Sequence, residues 1–147
     1  MEDNKPVIKK NKIIVYNPKF RSKDSKRLSI IRVLIDDELT RIDLVYNLSF
    51  NQKKPIFFQI DSNCFITPSH SNKIYKFIKA ENIPVLPNIG YIKPGTVSIS
   101  FSLFFEGLDK KCNTFDLIED FGDDKKYFNI YKISLNRTFK YPELILN

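Results

Sequence analysis

Tryptophan is absent from this 147-residue chain, histidine occurs once, and glycine only four times. Each shortage excludes some chemistry. Four glycines cannot supply a phosphate-cradling loop at Walker or Rossmann spacing. A single histidine, His70, leaves no four close ligands for a zinc site. HExxH and GxSxG are both missing. The two cysteines, Cys64 and Cys112, form no CxxC. One disulfide between them is arithmetically allowed but not indicated by spacing, and isolated thiols in a strand-rich chain read as small buried hydrophobes. No apolar run approaches the roughly 20 residues of a membrane helix, so no membrane span is expected. The N-terminus, MEDNKPVIKKNK, lacks the apolar core of a secretory signal. The expected location is cytoplasmic if Met1 is the native start, and periplasmic or cell-surface if a signal has been trimmed.

Aromatic and β-branched residues are plentiful. Phe and Tyr total 20, and such enrichment favours strands over helices. A hydrophobic content of 42% with 28% charge is ordinary for a soluble globular chain, and 147 residues suit one domain. Thr96–Phe105, TVSISFSLFF, gives the clearest pattern. Val97, Ile99, Phe101, Leu103 and Phe105 fall on one face, and Thr96, Ser98, Ser100, Ser102 and Phe104 on the other. Period 2 over ten residues predicts a strand with one buried face, in an antiparallel sheet packed on one side.

The rest of the chain extends this reading. Strands are expected at 12–16, 28–35, 39–50, 56–60, 64–67, 73–79, 96–106, 114–120 and 127–135, with 64–67 short and ending at Pro68. The nearly continuous IFFQI at 56–60 suggests a central position. Leu39–Phe50 alternates, with Ile42, Leu44, Tyr46 and Leu48 on one side and Arg41, Asp43 and Asn47 on the other. Pro68–Asn72 reads as a hairpin connection. Residues 81–94, with Pro84, Pro87, Gly90 and Pro94, read as an irregular crossover. No long stretch has helical periodicity with caps. The fold class is therefore all-β, an antiparallel β-sandwich of about eight strands without substantial helix. Residues 1–11 are expected to form a flexible basic leader, 12–136 a single sandwich domain, and 137–147 a tail or linker.

Charge is unevenly placed. Residues 1–32 carry ten Lys/Arg against three Asp/Glu, and the remaining 14 of each cancel. The net +7 thus belongs to one end of the chain. Lys19, Arg21, Lys23, Lys26 and Arg27 form a candidate basic patch for nucleic acid or an acidic surface. Aromatics do not interleave with these cations as a stacking platform requires, so nucleic acid is not the expected partner.

The run from Phe58 to Leu135 resembles an immunoglobulin-like β-sandwich domain of uncertain function found in Bacteroidetes proteins. Lys73–Ile78 followed by KAENIP is similar to that family's "KKY.L..AEGIP". YIKPGT at 91–96 resembles the segment introducing its long strand, and SFSLFFEGL at 100–108 is similar to "TFTLYFEPL". FDLIE at 115–119 matches fully, and FNIYKISL at 128–135 is similar to "WNFYGISL". The resemblance implies an immunoglobulin-like fold, often behind an export signal and ahead of a thioredoxin-like or helical-repeat domain. This sequence shows neither companion, which leaves the module without an enzyme to accompany.

Candidate chemistry is sparse. Ser69 and Ser71 flank His70 in a turn, and sequence neighbours rarely reach triad geometry. Asp36-Asp37-Glu38 and Glu119-Asp120 with Asp123-Asp124 are carboxylate clusters. The second flanks a glycine loop where calcium is conceivable, yet it has no EF-hand register and adjoins Lys125-Lys126, so a solvated turn is the reading. Asp116 and Glu119 are three apart on a strand, which puts them on opposite faces. Neither catalytic residues, metal nor cofactor are expected. Aromatics remain: Phe104, Tyr91, Tyr127 and Tyr131 are candidate contact residues for a protein partner or a glycan. The function these observations favour is a non-catalytic accessory module making protein contacts in a cell-envelope or surface-associated assembly. The alternative is an anionic-ligand binder using the basic N-terminal third.

Overall fold

The computed structural model describes residues 12–23, 26–48, 56–120 and 128–136. They form ten antiparallel strands and no helix: β1 (Ile13–Tyr16), β2 (Leu28–Ile35), β3 (Leu39–Asn47), β4 (Ile56–Phe58), β5 (Phe65–Pro68), β6 (Tyr75–Glu81), β7 (Gly90–Ile92), β8 (Ser98–Glu106), β9 (Thr114–Ile118) and β10 (Ile130–Ser134). The all-β, sandwich-like class follows from this list. The expected leader, tail and 121–126 turn, and Tyr127 at the start of the expected last strand, lie outside the described residues.

Eight strands make one curled sheet in the order β1-β2-β3-β8-β6-β5-β9-β10, and β4 pairs with β7 in a separate ribbon. The two layers are joined through β6. Its first residues, Tyr75 and Lys76, pair with Ile66 and Phe65 of β5. After Phe77 the register slips, and the strand runs on against Leu103 and Phe104 of β8. Such a bulge bends and twists a strand, and here it carries β6 from one layer to the other. The far edges also meet. Arg21 and Tyr131 exchange two backbone hydrogen bonds of 2.8 Å, and Ser134 N donates to Lys19 O (2.9 Å). The segment after β1 therefore covers the outer edge of β10.

The core lies between the layers. Phe101, Leu103 and Phe105 of β8 meet Ile42 and Leu44 of β3, Phe115 and Leu117 of β9, and Ile130 and Ile133 of β10. In β2, LSIIRVLI reads as a continuous apolar run, yet a bulge between Ile30 and Arg32 turns Ile31 outward. That extra residue keeps Leu28, Ile30, Val33 and Ile35 all inside despite their change of parity. Thr40 is buried as well; its hydroxyl donates to Glu106 O (3.2 Å) and accepts from Leu108 N (2.9 Å).

Several expectations need correction. β4 is not central: it spans only Ile56–Phe58 in the two-stranded ribbon, which turns Phe57 outward at 61% exposure. The 81–94 crossover contains β7, since Gly90 lets the chain approach β4 closely. Val97, assigned inward, is 59% exposed, because it precedes the paired part of β8.

Candidate functional site

The β4–β7 ribbon has two unlike sides. Its register pairs Ile56 with Ile92, Phe57 with Tyr91, and Phe58 with Gly90. Inward, Ile92 is buried, and the Phe58 ring meets Phe101 edge-on at 5.2 Å. Gly90 permits this seat: a Cβ there would lie 2.5 Å from Pro84 Cγ and 3.0 Å from the Phe58 carbonyl. Outward, Phe57 is 61% and Tyr91 63% exposed, with ring centroids 4.9 Å apart. Ile89, two residues before Tyr91, is 56% exposed, and Leu86 in the preceding loop is exposed too. The ribbon thus spends one face on anchorage and presents the other as apolar surface in water.

The four candidate aromatics do not share a face. Tyr91 is on this ribbon. Phe104, expected outward and available, is outward but only 6% exposed. It is cross-strand to Arg41 on β3 and Lys79 on β6, and both cations lie over its ring at 5.2 and 4.7 Å. The long side chains cover the ring while keeping their charges wet, so Phe104 is a structural residue rather than a contact. Tyr131 sits on β10 opposite Arg21. Phe57 is the residue that sequence reading missed; its parity opposite Phe58 within a short strand was the available signal.

Beside Phe104 the same outer face carries a charged row. Asp43 accepts from Arg32 Nε (2.6 Å), Arg41 Nε (2.8 Å) and Ser102 Oγ (2.6 Å). Burial pushes the Asp43 carboxyl up, but these three donors more than offset it and hold the group below its ordinary value. The row is cross-strand pairing, with Arg32, Asp43 and Ser102 in register across β2, β3 and β8. It fixes the sheet and leaves no open acceptor cluster.

A second polar cluster lies on the outer face of β5, β9 and β10. A bulge sets both Tyr131 and Lys132 opposite Asp116, between the buried pairs Ile130–Leu117 and Ile133–Phe115. Asp116 Oδ1 accepts from Ser69 Oγ (2.9 Å) and from the Lys132 amide (2.8 Å). Lys132 Nζ lies 3.2 Å from His70 Nε2. Ser69 thus bonds the carboxylate directly, and no Ser–His–acid relay forms. Of the basic patch, Lys19, Arg21, Lys23, Lys26 and Arg27 are all exposed. Lys19 and Arg21 flank Phe20, which turns toward the core.

Glu119 is remote from Asp116 in role. Its carboxylate accepts from Asp61 N (2.8 Å) and Phe128 N (2.9 Å), tying β9 to two loops. Burial pushes its pKa up despite these bonds. Buried Asn129 completes the knot, accepting from Glu119 N (2.8 Å) and donating to Asp120 O (2.7 Å). Cys64 is buried, with its thiol pushed far up by burial; Cys112 is half-buried and its Sγ donates to Thr114 O (3.1 Å), and the two form no disulfide. Among the described residues no group of His, Cys, Asp or Glu is placed to hold a metal ion, and no helix is long and apolar enough to cross a membrane. The chain matches no protein-family model, no curated protein and no solved structure.

Proposed function

We propose that this protein is a non-catalytic, immunoglobulin-like β-sandwich module that makes protein contacts through the outward aromatic face of β4–β7, within a cell-envelope or surface-associated assembly. Strand order supports the immunoglobulin-like part. In such domains seven strands divide into ABED and CFG sheets. Taken in chain order, β2, β3, β5, β6, β8, β9 and β10 fall into β2-β3-β8-β6 and β5-β9-β10, the same spatial arrangement. β1 is added at the edge, and the β4–β7 ribbon is inserted around the β5–β6 hairpin.

The observation that carries the contact reading is the Phe57–Tyr91 pair. Two large rings each more than half exposed, adjacent to Ile89, form contiguous apolar surface of the kind that marks interaction sites. Aromatics are also the residues that supply most energy at such interfaces. The test is a photo-crosslinking amino acid at position 91 in source cells, with exposed Lys76 as the control position. One discrete protein adduct from position 91, lost on Phe57→Ser, is expected. No adduct there, or the same adducts from position 76, would overturn the reading.

A further inference from the structure

We infer that the outer face of β5, β9 and β10 binds a tetrahedral oxyanion, a phosphate or sulfate group, between Lys132, Arg21 and His70. Four observations converge on this face.

The first is backbone conformation. His70 (φ 68°) and Lys132 (φ 52°) both occupy the left-handed region without being glycine. Such residues carry strain that the surroundings must hold, and they concentrate at ligand sites. Here the two strained residues come from different hairpins, and their side chains meet head to head at 3.2 Å. The second is fixed position. Asp116 clamps both hairpins, taking Ser69 Oγ from the β5–β6 turn and the Lys132 amide from the β10 bulge. These bonds occupy Asp116 Oδ1 and fix both hairpins relative to each other.

The third is hydrogen-bonding capacity. With Lys132 donating, His70 accepts at Nε2 and its proton sits on Nδ1. The Lys132 ammonium keeps two further protons for a ligand. The fourth is added charge. Arg21 pairs with Tyr131, the residue beside Lys132, and strand alternation turns Arg21 and Lys19 outward because Phe20 packs inward. Among the described residues neither Lys19 nor Arg21 has an ion pair. An Arg fork on the residue opposite Tyr131 and a Lys point charge on the residue after Tyr131 suit a tetrahedral oxyanion. Two cations suit one such group rather than a polyanion's length.

The experiment uses the whole chain, ¹⁵N-labelled, titrated with inorganic phosphate against chloride at matched ionic strength. Amide shifts should saturate and be confined to Arg21, Ser69, His70, Tyr131 and Lys132. Lys132→Asn keeps a residue that tolerates the left-handed backbone, and Arg21→Gln keeps the backbone pair with Tyr131. Each should weaken phosphate binding about tenfold, the scale of one lost charge-assisted hydrogen bond, while the melting temperature stays put. Sulfate should compete, and Lys132→Arg should retain binding. Shifts that do not saturate, that chloride reproduces, or that spread over lysines elsewhere would mean an adventitious ion only and would overturn the inference. Unchanged affinity in both variants would do the same.

Discussion

Asp43 and Glu119 are the two carboxylates that the fold treats most unequally, and they predict opposite responses to pH. Asp43 is held below its ordinary value by Ser102, Arg41 and Arg32. Its contribution is therefore complete above the unfolded-state pKa and is lost as pH falls through the lower folded value. Asp43→Asn should cost about 1–3 kcal/mol near neutrality, because it leaves donors of Arg32 and Ser102 poorly matched. The loss should shrink in strong acid, measured by urea unfolding from pH 7 down to 2. Glu119 is pushed up by burial, so its folded state holds the proton more tightly than the unfolded chain. Its contribution is greatest in acid and declines as pH rises through the raised value. Relative to wild type, Glu119→Gln should gain stability as pH rises above the ordinary value of 4.5; no gain on raising the pH would contradict this assignment. Phe104 shows what one residue's identity conceals. Its parity on the long strand was legible, but the two cations that cover it lie 63 and 25 positions away in sequence and reach it only through strand pairing.

At the scale of elements, the strands that alternate or run apolar over five or more residues were legible. β2 occupies Leu28–Ile35 as its apolar run predicts, and β8 turns Phe101, Leu103 and Phe105 inward as TVSISFSLFF requires, but Ser102 and Phe104 on its other face are buried too. The ribbon was not. β4 and β7 have three residues each, too few for a period, and β7 lies among prolines that signal irregular chain. The bulges in β2, β6 and β10 were also hidden, since one inserted residue leaves composition unchanged while reversing every face beyond it. The polar cluster at Asp116 was illegible for the same reason: it exists because the β10 bulge doubles Tyr131 and Lys132 on one side. Close approach between elements gives a sharper prediction. A Cβ on Gly107, just after β8, would lie 2.9 Å from the Asp36 carbonyl and 3.0 Å from that of Asp37 in the β2–β3 turn. Gly107→Ala should lower stability by about 1–3 kcal/mol through forced backbone displacement, readable as a fall in the urea midpoint with unchanged slope.

For the whole molecule, the sheet closes on itself through β6 at one corner and through Lys19–Arg21 against β10 at the other. That closure covers an edge which would otherwise template pairing with other chains. It also sets Arg21, one cation of the basic N-terminal third, opposite Tyr131, the neighbour of Lys132. The aromatic ribbon lies outside this closed body, seated by Phe58 and Ile92, and its outward rings add little to the core. The rings thus divide into those that hold the fold, such as Phe58, Phe101 and Phe105, and those exposed on the ribbon, Phe57 and Tyr91. Equilibrium urea unfolding of Phe57→Ser/Tyr91→Ser beside Phe104→Ala tests this division most directly. The double variant should lose about 1 kcal/mol, the scale of one exposed aromatic pair, and Phe104→Ala about 3 kcal/mol. A double variant as damaged as Phe104→Ala would place Phe57 and Tyr91 in the core's service and contradict the contact surface.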